Sequence, residues 1–97
     1  GKGVAGGAGY SLDLAGWDFA SRPSINDRVS TRNGRIVFKI TVDGSGKVVQ
    51  ALPLEYNVSN EVLAYYRQVV NQLDFKKSGG SAAEFSNGKI TFVIKVE

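Results

Sequence analysis

Residues 34–51, GRIVFKITVDGSGKVVQA, decide how this chain folds. Ile36, Phe38, Ile40 and Val42 alternate with Arg35, Lys39 and Thr41. Period-two spacing of this kind belongs to a strand with one face in a core. Asp43-Gly44-Ser45-Gly46 follows, and its two glycines can take positive φ at little cost, which marks a hairpin turn. Residues 47–56, KVVQALPLEY, then read as the returning strand. Val48, Leu52 and Leu54 are expected to face in, and Gln50 interrupts the pattern. Pro53 has no N–H to give a ladder, so this strand is outermost there, or is ending.

Downstream, the period changes. Between Asn60 and Leu73, the residues Val62, Tyr66, Val69, Val70 and Leu73 fall on one helical stripe. Ser59 or Asn60 caps its start, and Glu61 suits the positive end of the helix dipole. Tyr66 is expected in the core and its neighbour Tyr65 partly exposed. Residues 74–88, DFKKSGGSAAEFSNG, read as the loop back, broken at Gly79 and Gly80. The chain closes on KITFVIKVE (89–97), where Ile90, Phe92, Ile94 and Val96 point one way and Lys89, Thr91, Val93, Lys95 and Glu97 the other.

Upstream, residues 15–34 are irregular. Trp17 and Phe19 anchor them to the core, and Pro23 holds Arg22 away from helical angles. A short helical turn before Arg22 is compatible with this stretch. Tyr10, Leu12 and Leu14 alternate with Ser11 and Asp13, a short candidate strand. Residues 1–9 are Gly- and Ala-rich and read as the end of a linker. The sequence does not begin with Met, so a domain cut from a longer protein is expected, any anchor or export signal lying upstream. The order is (β)–β–β–α–β. The fold class is α+β, one amphipathic helix covering one face of a small antiparallel sheet of three to four strands, with residues 10–97 as its single domain.

Composition narrows the chemistry. The 97 residues hold neither cysteine nor histidine. Disulfides and thiolate metal sites are therefore excluded, and the commonest general base is missing. The twelve Lys and Arg are scattered along a chain of net charge +3, not gathered as a nucleic-acid footprint requires. No apolar run approaches the roughly 20 residues of a membrane span. Asp13, Asp18, Asp27, Asp43 and Asp74 are spread over loops and strand faces, with no spacing that forces two carboxylates together. No serine is singled out for a Ser–Lys arrangement. GVAGGAG (3–9) lacks the preceding strand and closing lysine of a phosphate loop. DGSG (43–46) is a hairpin turn sooner than a calcium loop. No metal and no cofactor are expected. A small sheet with exposed backbone suits strand addition, in which an extended peptide joins by main-chain hydrogen bonds.

The hairpin Gly34, Arg35–Val42, Asp43, Gly46 and Val48 resembles that of the TonB C-terminal domain family, with its D-x-x-G-x-V turn. The helix over Asn60–Leu73, then Phe75 and Lys76, then the strand Lys89–Val96 are similar to the family's later elements. Leu14, Gly16 and Pro23 match the lead-in seen in a branch of TonB-like proteins of Gram-negative bacteria. Arg22 stands where the family commonly has Tyr, and Leu73 where it has Trp. The resemblance implies a periplasmic energy transducer anchored in the inner membrane through an upstream segment. Such a domain binds the TonB box of an outer-membrane receptor and transmits force from an inner-membrane motor driven by the proton gradient. The missing histidine, cysteine and carboxylate pair agree with a mechanical coupler that makes no covalent change, and the scattered basic residues argue against a nucleic-acid partner. By position, the partner-binding residues are Ile90, Thr91, Phe92, Val93, Ile94, Lys95 and Val96, with Arg22 and Pro23. The final strand is expected to pair on one side with Arg35–Asp43 and to leave its other side for the partner, unless Tyr10–Leu14 folds back to fill it. The competing expectations are a generic peptide-binding or scaffold module in a sensor or secretion protein, and an enzyme with a site on loops such as 76–88.

Overall fold

The computed structural model describes residues 9–23, 25–79 and 84–96. Six strands and one helix follow one another: β1 (Gly9–Asp13), β2 (Trp17–Phe19), β3 (Gly34–Asp43), β4 (Val48–Tyr56), α1 (Asn60–Asn71), β5 (Phe75–Lys77) and β6 (Phe85–Ile94). The fold is α+β. One antiparallel sheet runs β1-β6-β3-β4, and β2 and β5 form a second, two-stranded ribbon. No helix among the described residues is long and apolar enough to cross a membrane.

The alternation of β3 and β6 builds the inner face of the large sheet. Ile36, Phe38, Ile40 and Val42 from β3 and Ile90, Phe92 and Ile94 from β6 are all buried. The rings of Phe38 and Phe92 meet edge to face at 6.2 Å, a favoured aromatic geometry. The helical stripe Val62, Tyr66, Val69, Val70 and Leu73 closes over them and is buried throughout. Ser59 is the N-cap, its hydroxyl accepting from the Val62 amide. Tyr65 stays half-buried, as its place beside the stripe requires.

The turn between β3 and β4 uses the Asp and the Gly of the D-x-x-G-x-V pattern, and the Val opens the returning strand opposite Val42. The Asp43 carboxylate accepts from the amides of Ser45 and Lys47 and from the Ser45 hydroxyl. Gly46 has φ near 90°, and a Cβ there would overlap the Phe75 carbonyl. The turn is thereby docked on β5, with the Phe75 amide donating to the Gly46 carbonyl at 2.9 Å.

Beyond the turn, the inward set expected for β4 is corrected. Val42 pairs with Val48 and Thr41 with Gln50, so Val49 is an extra residue in the ladder. A bulge of this kind shifts the pleat by one. Past it, Ala51 and Pro53 stand across from Ile40 and Phe38 on the inner face. A second shift leaves Leu54 unpaired. Leu52 and Leu54 are consequently 42% and 48% exposed, whereas Ala51 is buried. The expectation that β4 is outermost, drawn from Pro53, holds.

Two further corrections concern the loops. The stretch read as irregular contains β2 in place of a helical turn, and the stretch read as one long loop contains β5 and the first four residues of β6. β2 and β5 pair in register, Trp17 with Lys77 and Phe19 with Phe75. The Phe19 and Phe75 rings stack at 5.4 Å. Of the expected linker, only Gly9 lies within the described residues, and it opens β1.

After β2 the chain runs back beside α1 from its end to its start. Arg22 and Pro23 lie near Val69 and Leu73, the Asn26 amide donates to the Tyr65 hydroxyl, and Thr31 and Arg32 lie near Ser59 and Val62. Asp27 pins this segment. It is buried, and its carboxylate accepts from the amides of Val29 and Ser30 and the hydroxyls of Ser30 and Tyr66, the last at 2.7 Å. Burial works against its charge, but the bonds from Ser30 and Tyr66 and the two amides outweigh that and hold the carboxyl below its ordinary range. The same burial and the neighbouring carboxylate push the Tyr66 phenol well up.

Candidate functional site

The final strand is not an edge. β6 pairs with β3 along its full length, Gly34 with Ile94 through Asp43 with Phe85. The expectation that its other side is left open is corrected: β1 occupies it. Gly9 pairs with Val93, Tyr10 with Phe92, Ser11 with Thr91, Leu12 with Ile90 and Asp13 with Lys89. Alternation decides this outcome. Tyr10 and Leu12 fall on the inner face, where both pack half-buried against the core, and Tyr10 meets Phe19 edge to face at 5.3 Å. Gly88 permits the close approach of the two strands, since a Cβ there would overlap the Asp13 carbonyl and press on Leu14.

The docking residues expected on β6 divide into two groups. Ile90, Phe92 and Ile94 are buried in the core, so they offer a partner only their backbone. Thr91 and Val93 lie on the outer face, Val93 at 39% exposed. Lys95 and Val96 follow the strand, and the Val96 amide donates to the Asn33 side chain at 2.8 Å. β1 covers residues 89–93 of a ten-residue strand.

Arg22 and Pro23 lie elsewhere. They border a small hollow of about 110 Å³ with Val69, Gln72 and Leu73 at the end of α1. The far end of β6 lies at the start of α1, because Ile94 pairs with Gly34, which packs against Val58. The structure therefore does not bring Arg22 and Pro23 together with Ile94–Val96.

Sequence reasoning missed two parts of this site. Asn87-Gly88 reads in sequence as a turn, yet both residues lie inside β6, where Gly88 acts through the space it leaves for β1. Lys39 reaches the outer face beside Lys89 only through the β3–β6 register. Among the described residues no group of three or more carboxylate, His or Cys side chains converges. No family model, no curated protein and no solved structure matches the chain.

Proposed function

We propose that this chain is the periplasmic domain of a TonB-like energy transducer. It docks an extended segment of an outer-membrane receptor by strand addition and passes on force from an inner-membrane motor driven by the proton gradient. An upstream segment anchors it in the inner membrane. The resemblance of the hairpin, helix and closing strand supports this reading. One structural observation carries it: the regular strand β6 has one side held by β3 over ten residues and the other, among the described residues, by the five-residue strand β1. A partner segment that takes the place of β1 gains the same backbone ladder. While β1 is in place, apparent affinity is lowered by the fraction of molecules in which the edge is covered.

The test is to titrate the full chain with an extended receptor-derived peptide and follow the amide resonances. Changes concentrated on residues 89–93, with loss of the β1 ladder, support the reading. A folded chain whose β6 amides do not respond contradicts it. A second reading, a peptide-binding or scaffold module, has its own observation. Val49, Leu52, Leu54 and Tyr56 of β4 are all exposed. Changes confined to those residues favour it.

A further inference from the structure

On the outer face of the sheet, Asp13, Lys89 and Lys39 form one row across β1, β6 and β3. Lys89 stands directly opposite Lys39, and like charges so placed repel. Neither lysine belongs to an ion pair among the described residues, not even with Asp13, so the carboxylate offsets them through the field it sets up across the row and not through a contact. On the far side the row continues to Leu52 of β4, which brings no acid. Glu55 lies in the next row, between Val37 and solvent, and is engaged with Arg35 at 3.4 Å. Asp13 is thus the one carboxylate in a row with two ammonium groups. A shallow hollow of about 310 Å³ opens here, bordered by Asp13, Ala15, Lys39, Asn87 and Lys89, with the bare backbone of Gly88 beside them.

Resting on the docking reading above, we infer that the segment received by β6 carries an acidic side chain at the register position of Asp13. β1 serves as an internal copy of that segment. When it leaves, the row loses its carboxylate, and two facing lysines remain. A neutral or basic newcomer leaves them uncompensated, whereas an acidic one restores the balance. The rest of the copy specifies more. Places opposite Phe92 and Ile90 take apolar side chains, as Tyr10 and Leu12 do, and the place opposite Thr91 takes a small polar one, as Ser11 does. Running antiparallel to β6, the partner reads apolar, polar, apolar, acidic from its N-terminus.

The experiment has two arms. In the first, the full chain with Tyr10→Ala and Leu12→Ala, which weaken the resident strand, is titrated with a peptide of sequence GYSLD and with its GYSLN counterpart. The acidic peptide should bind roughly 2- to 5-fold more tightly, the range of an exposed charge pair. The preference should shrink as salt is added and vanish in Lys39→Gln/Lys89→Gln. In the second arm, Asp13→Asn is made in the otherwise unaltered chain, where it should speed exchange of the β1 amides by a similar factor. Equal binding of the two peptides on residues 89–93, with no effect of Asp13→Asn, overturns the inference and leaves strand docking intact. If neither peptide shifts residues 89–93 of the folded chain, docking on β6 fails and the acidic requirement falls with it.

Discussion

β4 and β1 both border the four-stranded sheet, but β4 is nine residues long and twice bulged, whereas β1 is five residues long and in unbroken register. Bulges and an edge proline are devices that keep a permanent edge from pairing with other chains. β4 has both, at Val49, Pro53 and Leu54. β1 has neither, and the strand beneath it is regular over residues 89–93. One border is built to stay open without recruiting a partner. The other is a straight, pairing-competent edge covered by a short piece of the same chain. On that difference rests the proposal that a partner docks beneath β1.

The largest effect should come from the part common to both borders. Phe38 lies at the centre of the sheet, fully buried against Phe92. Phe38→Ala should cost about 3–5 kcal/mol, enough to unfold much of a marginally stable domain, as a denaturant melt will read. A variant that melts like the parent breaks the strand phase on which both borders depend.

Asp27 tests the cover over the inner face. Its replacement by Ala leaves the buried Tyr66 hydroxyl without its acceptor, at a cost of about 1–3 kcal/mol. The pH dependence has a definite sign. The folded carboxyl titrates below its ordinary value of 3.8. Its contribution is complete above that value and is lost as pH falls through the lower folded one. Near-UV dichroism should show an acid transition that Asp27→Ala flattens; an unchanged transition assigns it to another group.

Smaller still is the contribution expected of β1. Tyr10→Ala with Leu12→Ala removes two half-buried side chains, worth about 1–2 kcal/mol together. Amide exchange should quicken on β1 while β3 and α1 stay protected. If protection collapses across all of them, β1 is an inseparable part of the fold and not a cover. The least effect belongs to the outer side of β4, where Leu54→Lys should change stability by no more than about 0.5 kcal/mol. A large loss there returns Leu54 to the core and erases the bulge.

The same contrast separates what could be read from the sequence from what could not. β3, α1 and the second half of β6 follow from local periodicity, because each buries one face in an unbroken register. The turn at Asp43–Gly46 is equally local: one carboxylate, one positive φ. In β4 the pattern misleads, since a bulge adds one residue without any signal in a run already rich in Val and Leu. β2 and β5 have three residues each, too few to show a period. The site was legible in part. The alternation of Tyr10, Leu12 and Leu14 marked a strand that fits β6, but the row of Asp13, Lys89 and Lys39 joins residues far apart in sequence and exists only once the register is known. The bond from Tyr66 to Asp27, 39 residues away, is hidden for the same reason.

The most direct measurement cross-links β1 to β6. Ser11 and Thr91 are register partners, and opposed residues of antiparallel strands sit roughly 4.5–5.5 Å apart, within reach of a disulfide. The chain has no cysteine of its own, so Ser11→Cys with Thr91→Cys gives a single defined bond. The oxidised protein should lose its binding of an extended receptor peptide, and reduction should restore it. Equal binding before and after reduction would place docking away from the edge under β1 and contradict the account.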